Sequence, residues 1–497
     1  MTTAPVNTTA LAHSRSDSSQ SDVAAGPGAR RLVLAFLIVF ALAARTQSAL
    51  LVPPWQGPDE PKHFEYIRLL IDKRDVFLGE RRLPNLGDAS PQLQGQIIAS
   101  MAQHHYWEYV GWLPSGTNTP KVLPKRFDDI WPLGTGLQLH RPSLYYFLAA
   151  SAVWPLQSAS LESQLLAVRL FSVVLSVLTV GVTYLAARQL APGDAYLSLA
   201  STAFVATLPM HIFMGGTANS DNLVTLAGAV CTLGFTAGLR SGFGWQQLGL
   251  ALGGLALAIS AKRVGVALAP PLALALLYWL CGRGKWYRLV GLGGSALVVL
   301  AVAAAWQVEA VRETVVSYAL NSVSQFTNLS QVSLASPEIQ ALLLRHLAAL
   351  FCSFWGIFGW FNVLMGVEVY AILAVVTGLC LLGFAIWIGR CLSRGKYATT
   401  ARHVLVASGL IFLTALCATV LALLERLSYL SPHELPQGRY LFVAITPIAL
   451  VLALGARALT PRRLAANRLA ASAGLGALVA LDFLAYALYI VPFYGRF

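Results

Sequence analysis

The residues best placed to do chemistry lie in the run Trp55-Gln56-Gly57-Pro58-Asp59-Glu60-Pro61-Lys62-His63-Phe64-Glu65-Tyr66, just past the first long apolar stretch. Pro58 and Pro61 restrict the backbone to a rigid bend, so the adjacent carboxylates of Asp59 and Glu60 are held where the chain leaves an apolar environment. A carboxylate in that position could deprotonate a hydroxyl as general base, or bind a divalent cation such as magnesium or manganese. It could equally cap the helix expected over residues 61–70, because Asp is a common N-cap. His63 follows one turn later on a compatible face, where it could tune the base, contribute to a metal site, or serve as a polar interfacial residue.

Other charges interrupt apolar sequence further on. Lys262 and Arg263 separate two apolar runs, and a cation at membrane depth is costly unless it snorkels or meets an anion such as a phosphate. Arg439 offers a planar fork suited to phosphate, or could pair with Glu425 or Glu434. Asp221 could bind an acceptor or a metal, or cap a helix starting at Asn222. His104 and His105 stand beside Tyr106, Trp107, Tyr109 and Trp112, a composition typical of side chains that anchor at the lipid headgroups, with sugar stacking as the lesser alternative; the same two readings apply to Trp355 and Trp360.

The elements that must position these groups are membrane helices. Of 497 residues, 56% are hydrophobic and 11% charged, against about 25% charged in soluble domains. Crossing the hydrocarbon takes about 20 apolar residues as helix. Runs of that kind begin near residues 32, 163, 195, 220, 244, 264, 287, 368, 403, 439 and 469, which predicts about eleven spans, or thirteen if residues 142–156 and 342–361 also cross. The expected fold is therefore an all-α polytopic membrane protein with 11 to 13 transmembrane helices. Ten of the 22 acidic residues fall in residues 59–129, which marks that segment as a polar loop carrying interfacial helices.

Residues 1–29, rich in Ser, Thr, Ala and Gly, read as a disordered cytoplasmic tail, and residues 30–497 as one transmembrane domain. The net charge of +13 comes from Lys and Arg at the ends of apolar runs, the positive-inside pattern, and does not point to nucleic acid. With the N-terminus inside and residues 142–156 and 342–361 taken as interfacial or re-entrant, the basic clusters around Arg188, Arg240, Arg283, Arg390 and Arg457 all fall inside. The opposite face of a plasma membrane then collects residues 53–141, 215–222, 262–263, 307–366 and 425–439. Six cysteines in or beside apolar segments, without metal-ligand spacing, support neither a disulfide framework nor a zinc site.

An acidic pair in the first external loop, followed by a helix, resembles the GT-C superfamily of integral membrane glycosyltransferases, whose donors are polyprenyl-phosphate or polyprenyl-diphosphate sugars. The lipid A aminoarabinose transferases and protein mannosyltransferases look most similar in this loop. The resemblance implies a GT-C-like bundle, Asp59 as catalytic base and Glu60 as second carboxylate. His140-Arg141-Pro142-Ser143-Leu144-Tyr145-Tyr146 resembles the His-Pro-Pro-Leu-Tyr-Tyr stretch of those enzymes, with Arg and Ser departing from it, and implicates Arg141 and Tyr145 in substrate binding. Asn219-Ser220-Asp221-Asn222 resembles their second external acidic turn. Ser353-Phe354-Trp355-Gly356-Ile357-Phe358-Gly359-Trp360 and Gln437-Gly438-Arg439-Tyr440 resemble signatures of a poorly characterised bacterial membrane-protein family allied to GT-C, which adds Tyr440 to the candidates.

The expected function is transfer of a sugar from a polyprenyl-phosphate donor to an extracytoplasmic acceptor, with Lys262, Arg263 and Arg439 on the donor phosphate. A transporter or flippase of lipid-linked sugars is the alternative. Such proteins place their site at the midplane between broken helices and repeats, whereas here no inverted repeat is visible and the polar groups gather on one face. A non-catalytic assembly subunit, a further alternative, would need no acidic pair beside a cationic site.

Overall fold

A computed structural model describes residues 27–72, 91–110, 120, 122–130, 133, 144–282, 336–393, 399–427, 435–460 and 468–496. Among these, nine helices are long and apolar enough to cross a membrane, or ten if one bent pair counts as a span. The chain is an all-α polytopic membrane protein, as its composition requires: inside lipid each backbone N–H and C=O must be satisfied within its own segment.

The first span, α1 (Pro27–Leu51), leads into a loop carrying α2 (Glu60–Asp72), α3 (Pro91–Gln103) and α4 (Tyr106–Val110). None of these three is a candidate span. The short apolar α5 (Leu144–Val153) precedes the 30-residue α6 (Leu161–Leu190). Next come α7 (Ala195–Thr207) and α8 (Pro209–Gly215), bent by 60° at their junction. Pro209 has no N–H, so the Val205 carbonyl loses its helical donor. The fully buried Arg45 of α1 takes that role, donating to Val205 O and Ala206 O at 3.0 Å, to Ser176 Oγ at 2.6 Å and to His211 Nδ1 at 2.8 Å.

The centre of the bundle is α9 (Asp221–Ser241), packed between α6 and α10 (Trp245–Ala261), with 83% of its apolar window buried. The span opening with the 3₁₀ turn Gly438–Ala444 and continuing as α15 (Ile445–Leu459) is next, at 72%. Its close approach to α9 depends on Gly228, where any Cβ would overlap the Val443 carbonyl. Between α10 and α15 lie α11 (Ala269–Cys281), α12 (Pro337–Gly356), α13 (Val367–Ser393) and α14 (Thr399–Leu427). The chain continues through α16 (Arg468–Ala485), a π turn, and α17 (Val491–Tyr494).

The run near residue 244 forms α10, whose 17 residues, about 25 Å at the helical rise, are fewer than in the other candidate spans but return along α9 from the Arg240 end to the Asp221 end, where Lys262 pairs with Asp221. One expectation changes. Of the stretch 342–361, expected to be interfacial or re-entrant, residues 342–356 belong instead to the 20-residue α12, which is long and apolar enough to cross. α12 then gives way to a hairpin of β1 (Ile357–Phe358) and β2 (Val363–Leu364), with Ile357 opposite Leu364. The turn uses left-handed backbone at Gly359 (φ 61°) and Phe361 (φ 71°) and presents Trp360 between them. The run expected from residue 287 lies outside the described residues.

Candidate functional site

The loop after α1 is held in an unusual conformation. Trp55 and Asp59 both have left-handed backbone, with φ of 71° and 61°. Such residues cost on the order of 1–3 kcal/mol each and persist only where surrounding contacts over-determine them. Here the contacts converge on Glu60. Its buried carboxylate accepts from the backbone N–H of Trp55 (3.1 Å), Gly57 (3.3 Å) and Ala218 (3.0 Å), and from Arg169 Nε (2.8 Å) and Nη2 (2.7 Å).

Arg169, on α6, also donates to the carbonyls of Ala49, Val52 and Pro53, closing the C-terminal end of α1. The Trp360 indole N–H donates to Trp55 O at 3.1 Å, and Asn219 Nδ2 to Pro58 O at 3.1 Å. Glu60, expected as a second catalytic carboxylate, thus has both oxygens engaged and clamps the loop.

Asp59 is thereby presented at the end of the bundle with its side chain 32% exposed. Four charges follow one another from there. Asp59 Oδ2 lies 2.6 Å from Arg439 Nη2, Arg439 Nε lies 3.6 Å from Asp221 Oδ2, and Asp221 Oδ1 pairs with Lys262 Nζ. Arg439 thus pairs with Asp59 and Asp221; the side chains of Glu425 and Glu434, its candidate partners from the sequence, lie outside the described residues. Tyr440 lies beneath both cations, its ring centroid 4.7 Å from Lys262 Nζ and 5.7 Å from Arg439 Cζ, a cation–π arrangement. Lys262 is 31% exposed and Arg439 buried, with Arg439 Nε and Nη1 making no hydrogen bond among the described residues.

The sequence dictates this convergence locally. Asn219 Oδ1 accepts from the Asp221 N–H at 2.9 Å, satisfying the first N–H of α9, and the Asp221 carboxylate faces the cations. Lys262 ends α10, and Arg439 lies in the turn at the start of its span. That turn is pinned by Ser353, whose Oγ accepts from the Gly438 N–H at 2.7 Å. All four charges therefore project from the ends of apolar elements at one end of the bundle.

Burial would raise the Asp59 carboxyl; the charge and hydrogen bond of Arg439, with His63 and Lys262, outweigh it and bring the pKa down to about 2. His63 is lowered to about 4, burial outweighing Asp59 and Asp221, so the imidazole is neutral near pH 7. Its Nδ1 is 2.8 Å from the Tyr146 hydroxyl and the two rings stack at 5.7 Å. Tyr146, rather than the expected Tyr145, joins the group; the Tyr145 hydroxyl pairs with Ser172 Oγ at 3.0 Å. Arg263 opens the 3₁₀ turn Arg263–Leu268 beside Lys262, half-buried. Arg141 lies outside the described residues. No cluster of three or more His, Cys, Asp or Glu side chains among the described residues is set to hold a metal ion.

Sequence reasoning missed Arg169, and named Tyr146 only within a motif, without a role. Arg169 had a usable signal, since an ionisable residue inside the apolar run 161–190 is a functional or structural tie by default. No curated protein matches the chain. The model of a family described as "Predicted membrane protein (DUF2142)" matches residues 42–452, a stretch that holds the loop clamp and all four charges. The chain accordingly belongs to that family of predicted membrane proteins.

Proposed function

We propose that this protein is a GT-C-type membrane glycosyltransferase that moves a sugar from a polyprenyl-phosphate carrier to an acceptor hydroxyl outside the plasma membrane, with Asp59 as general base. The observation that carries the reading is the placement of a partly exposed carboxylate, on strained and clamped backbone, in direct contact with Arg439, which shares the Tyr440 ring with Lys262. A site built on the two most buried spans has the rigidity that catalysis requires.

The chemistry divides among the residues as follows. The donor phosphate takes Arg439 and Lys262, displacing Asp59 and Asp221 from them. Asp59, at about pKa 2 while paired, is a weak base; once its guanidinium partner turns to phosphate, burial raises its proton affinity. It then removes the acceptor O–H proton as the acceptor oxygen attacks the anomeric carbon. The carbon–oxygen bond to phosphate breaks, and the polyprenyl phosphate leaves with its developing charge held by Arg439 and Lys262. Neutral His63 lies next to this exchange without adding charge. Glu60 acts by holding Asp59.

The orientation follows from the other end of the bundle. There Arg240 donates to Gln189, Arg457 pairs with Asp194, and Arg390 donates to Ala458 O. Positive-inside reasoning makes that end cytoplasmic and the Asp59 end external. The break between α7 and α8 is the kind of feature on which transporters build sites. Here its freed carbonyls are taken by Arg45, which favours the transferase over the flippase.

The test is transfer by purified protein in nanodiscs, supplied with radiolabelled polyprenyl-phosphate sugars and membrane-extracted acceptor. Label should leave the carrier with wild type and not with Asp59→Asn. Label released equally by both removes Asp59 from the mechanism.

A further inference from the structure

Near Asp59 lie polar groups that neither the clamp nor the charge chain uses. The Gln56 side chain is fully buried, yet among the described residues neither its oxygen nor its nitrogen has a hydrogen-bond partner. Neighbouring buried amides behave differently: Asn219 donates to Pro58 O, and Asn222 donates to three carbonyls. The Tyr106 hydroxyl is also buried and unbonded. Burial holds its proton well above the ordinary tyrosine range, and the nearby charge of Asp59 adds to that effect, so hydroxyl and carboxylate share one neighbourhood.

Trp360 joins the two. Its indole N–H bonds the Trp55 carbonyl, which belongs to the peptide unit entering Gln56, and the Tyr106 ring packs edge-on against it at 5.8 Å and 85°. Trp55 in turn donates through its own indole to Ser100 Oγ, so both tryptophans are fixed.

Leaving three polar atoms buried and unbonded costs free energy that evolution rarely leaves unused, and each such group in a folded protein calls for a reason. An amide offers one acceptor and two donors and a phenol one of each, beside rigid aromatic surface. Ring hydroxyls that both donate and accept, attached to apolar C–H faces, match that set.

We infer that Gln56, Tyr106 and Trp360 form a carbohydrate-recognition subsite next to Asp59, in which the amide and phenol hydrogen-bond ring hydroxyls of the donor sugar. This rests on the proposed transferase reading, because a donor phosphate on Arg439 sets its sugar beside Asp59, 2.6 Å from that guanidinium. Gln56 and Tyr106 then determine which sugar is accepted, while Arg439 and Lys262 hold any polyprenyl phosphate alike.

The test separates sugar from phosphate. Wild type, Gln56→Met, Tyr106→Phe and Arg439→Ala are titrated calorimetrically in nanodiscs with farnesyl phosphate, and with farnesyl phosphate carrying arabinofuranose, mannose or glucose. At least one sugar should bind tighter than bare farnesyl phosphate. Gln56→Met and Tyr106→Phe should each cut that gain about three- to tenfold, one neutral hydrogen bond's worth, with bare farnesyl phosphate unchanged. Both substitutions keep size and remove only unbonded atoms, so the melting temperature should hold or rise, whereas a structural role would lower it. The inference is overturned if no sugar improves on bare phosphate, or if the gain survives both variants. Indifference of bare farnesyl phosphate to Arg439→Ala would instead overturn the phosphate reading beneath it.

Discussion

Replacing Asp59 with Asn should make the protein bind polyprenyl phosphate more tightly while abolishing transfer. In the structure Arg439 Nη2 already donates to Asp59 Oδ2 at 2.6 Å, so an incoming phosphate competes with the carboxylate for that fork. A charge-assisted hydrogen bond contributes about 1.5–3 kcal/mol and a neutral one about 0.5–1.5. Changing carboxylate to amide thus lowers the cost of displacement by about 1 to 1.5 kcal/mol, which is roughly a five- to tenfold gain in affinity. Arg439→Ala should move the other way, weakening binding by roughly 10- to 150-fold, and Arg439→Lys should recover part of the loss. The assay is calorimetric titration of farnesyl phosphate into each variant in nanodiscs at pH 7. Unchanged or weaker binding by Asp59→Asn would refute the exchange of partners.

Other outcomes follow from the same contacts. Arg169→Ala and Glu60→Gln each break a fully buried, multiply bonded pair, which costs about 3–5 kcal/mol, so both should lower melting temperature and folded yield, where Asp59→Asn does not. His63, lowered to about 4 from 6.5, takes up protons on unfolding between those values, so it removes up to about 3 kcal/mol of stability as pH falls from 6.5 to 4. Glu65, raised to about 7, acts oppositely in that window, stabilising as pH falls; the melting-temperature profile of wild type minus His63→Gln isolates the histidine, and a flat difference would contradict its burial as a neutral group. In a background without native cysteines, Val122→Cys, at a position 82% exposed, should react with an impermeant thiol reagent from outside the cell and Gly193→Cys should not; the reverse pattern would invert the topology.

Much of the site was legible because its members lie where apolar runs end. Asp59, Asp221, Lys262 and Arg439 sit 380 positions apart at the extremes, yet each lies at a helix terminus, and alternation of membrane crossings brings those termini to one end. The sequence could not show which charge meets which. Asp59 and Glu60 are adjacent, and only the left-handed turn at Asp59 sends one carboxylate to Arg439 and the other into the bundle against Arg169. Arg169 was hidden because one charge scarcely changes the hydropathy of a 30-residue run.

α12 was underestimated because Glu338, Gln340 and Arg345 dilute its first turns. The state of Gln56 was unreadable for another reason: an unbonded buried amide is a property of packing that residue type alone does not reveal.

The most direct measurement of the central claim is the pool of polyprenyl-phosphate-linked sugars in a strain lacking this gene, complemented with wild type or with Asp59→Asn. The account predicts that one charged carrier accumulates in the deletion strain, returns to its normal level with wild type, and stays high with Asp59→Asn inserted in the membrane at wild-type abundance. A carrier pool unchanged by the deletion, or restored by Asp59→Asn, would contradict it.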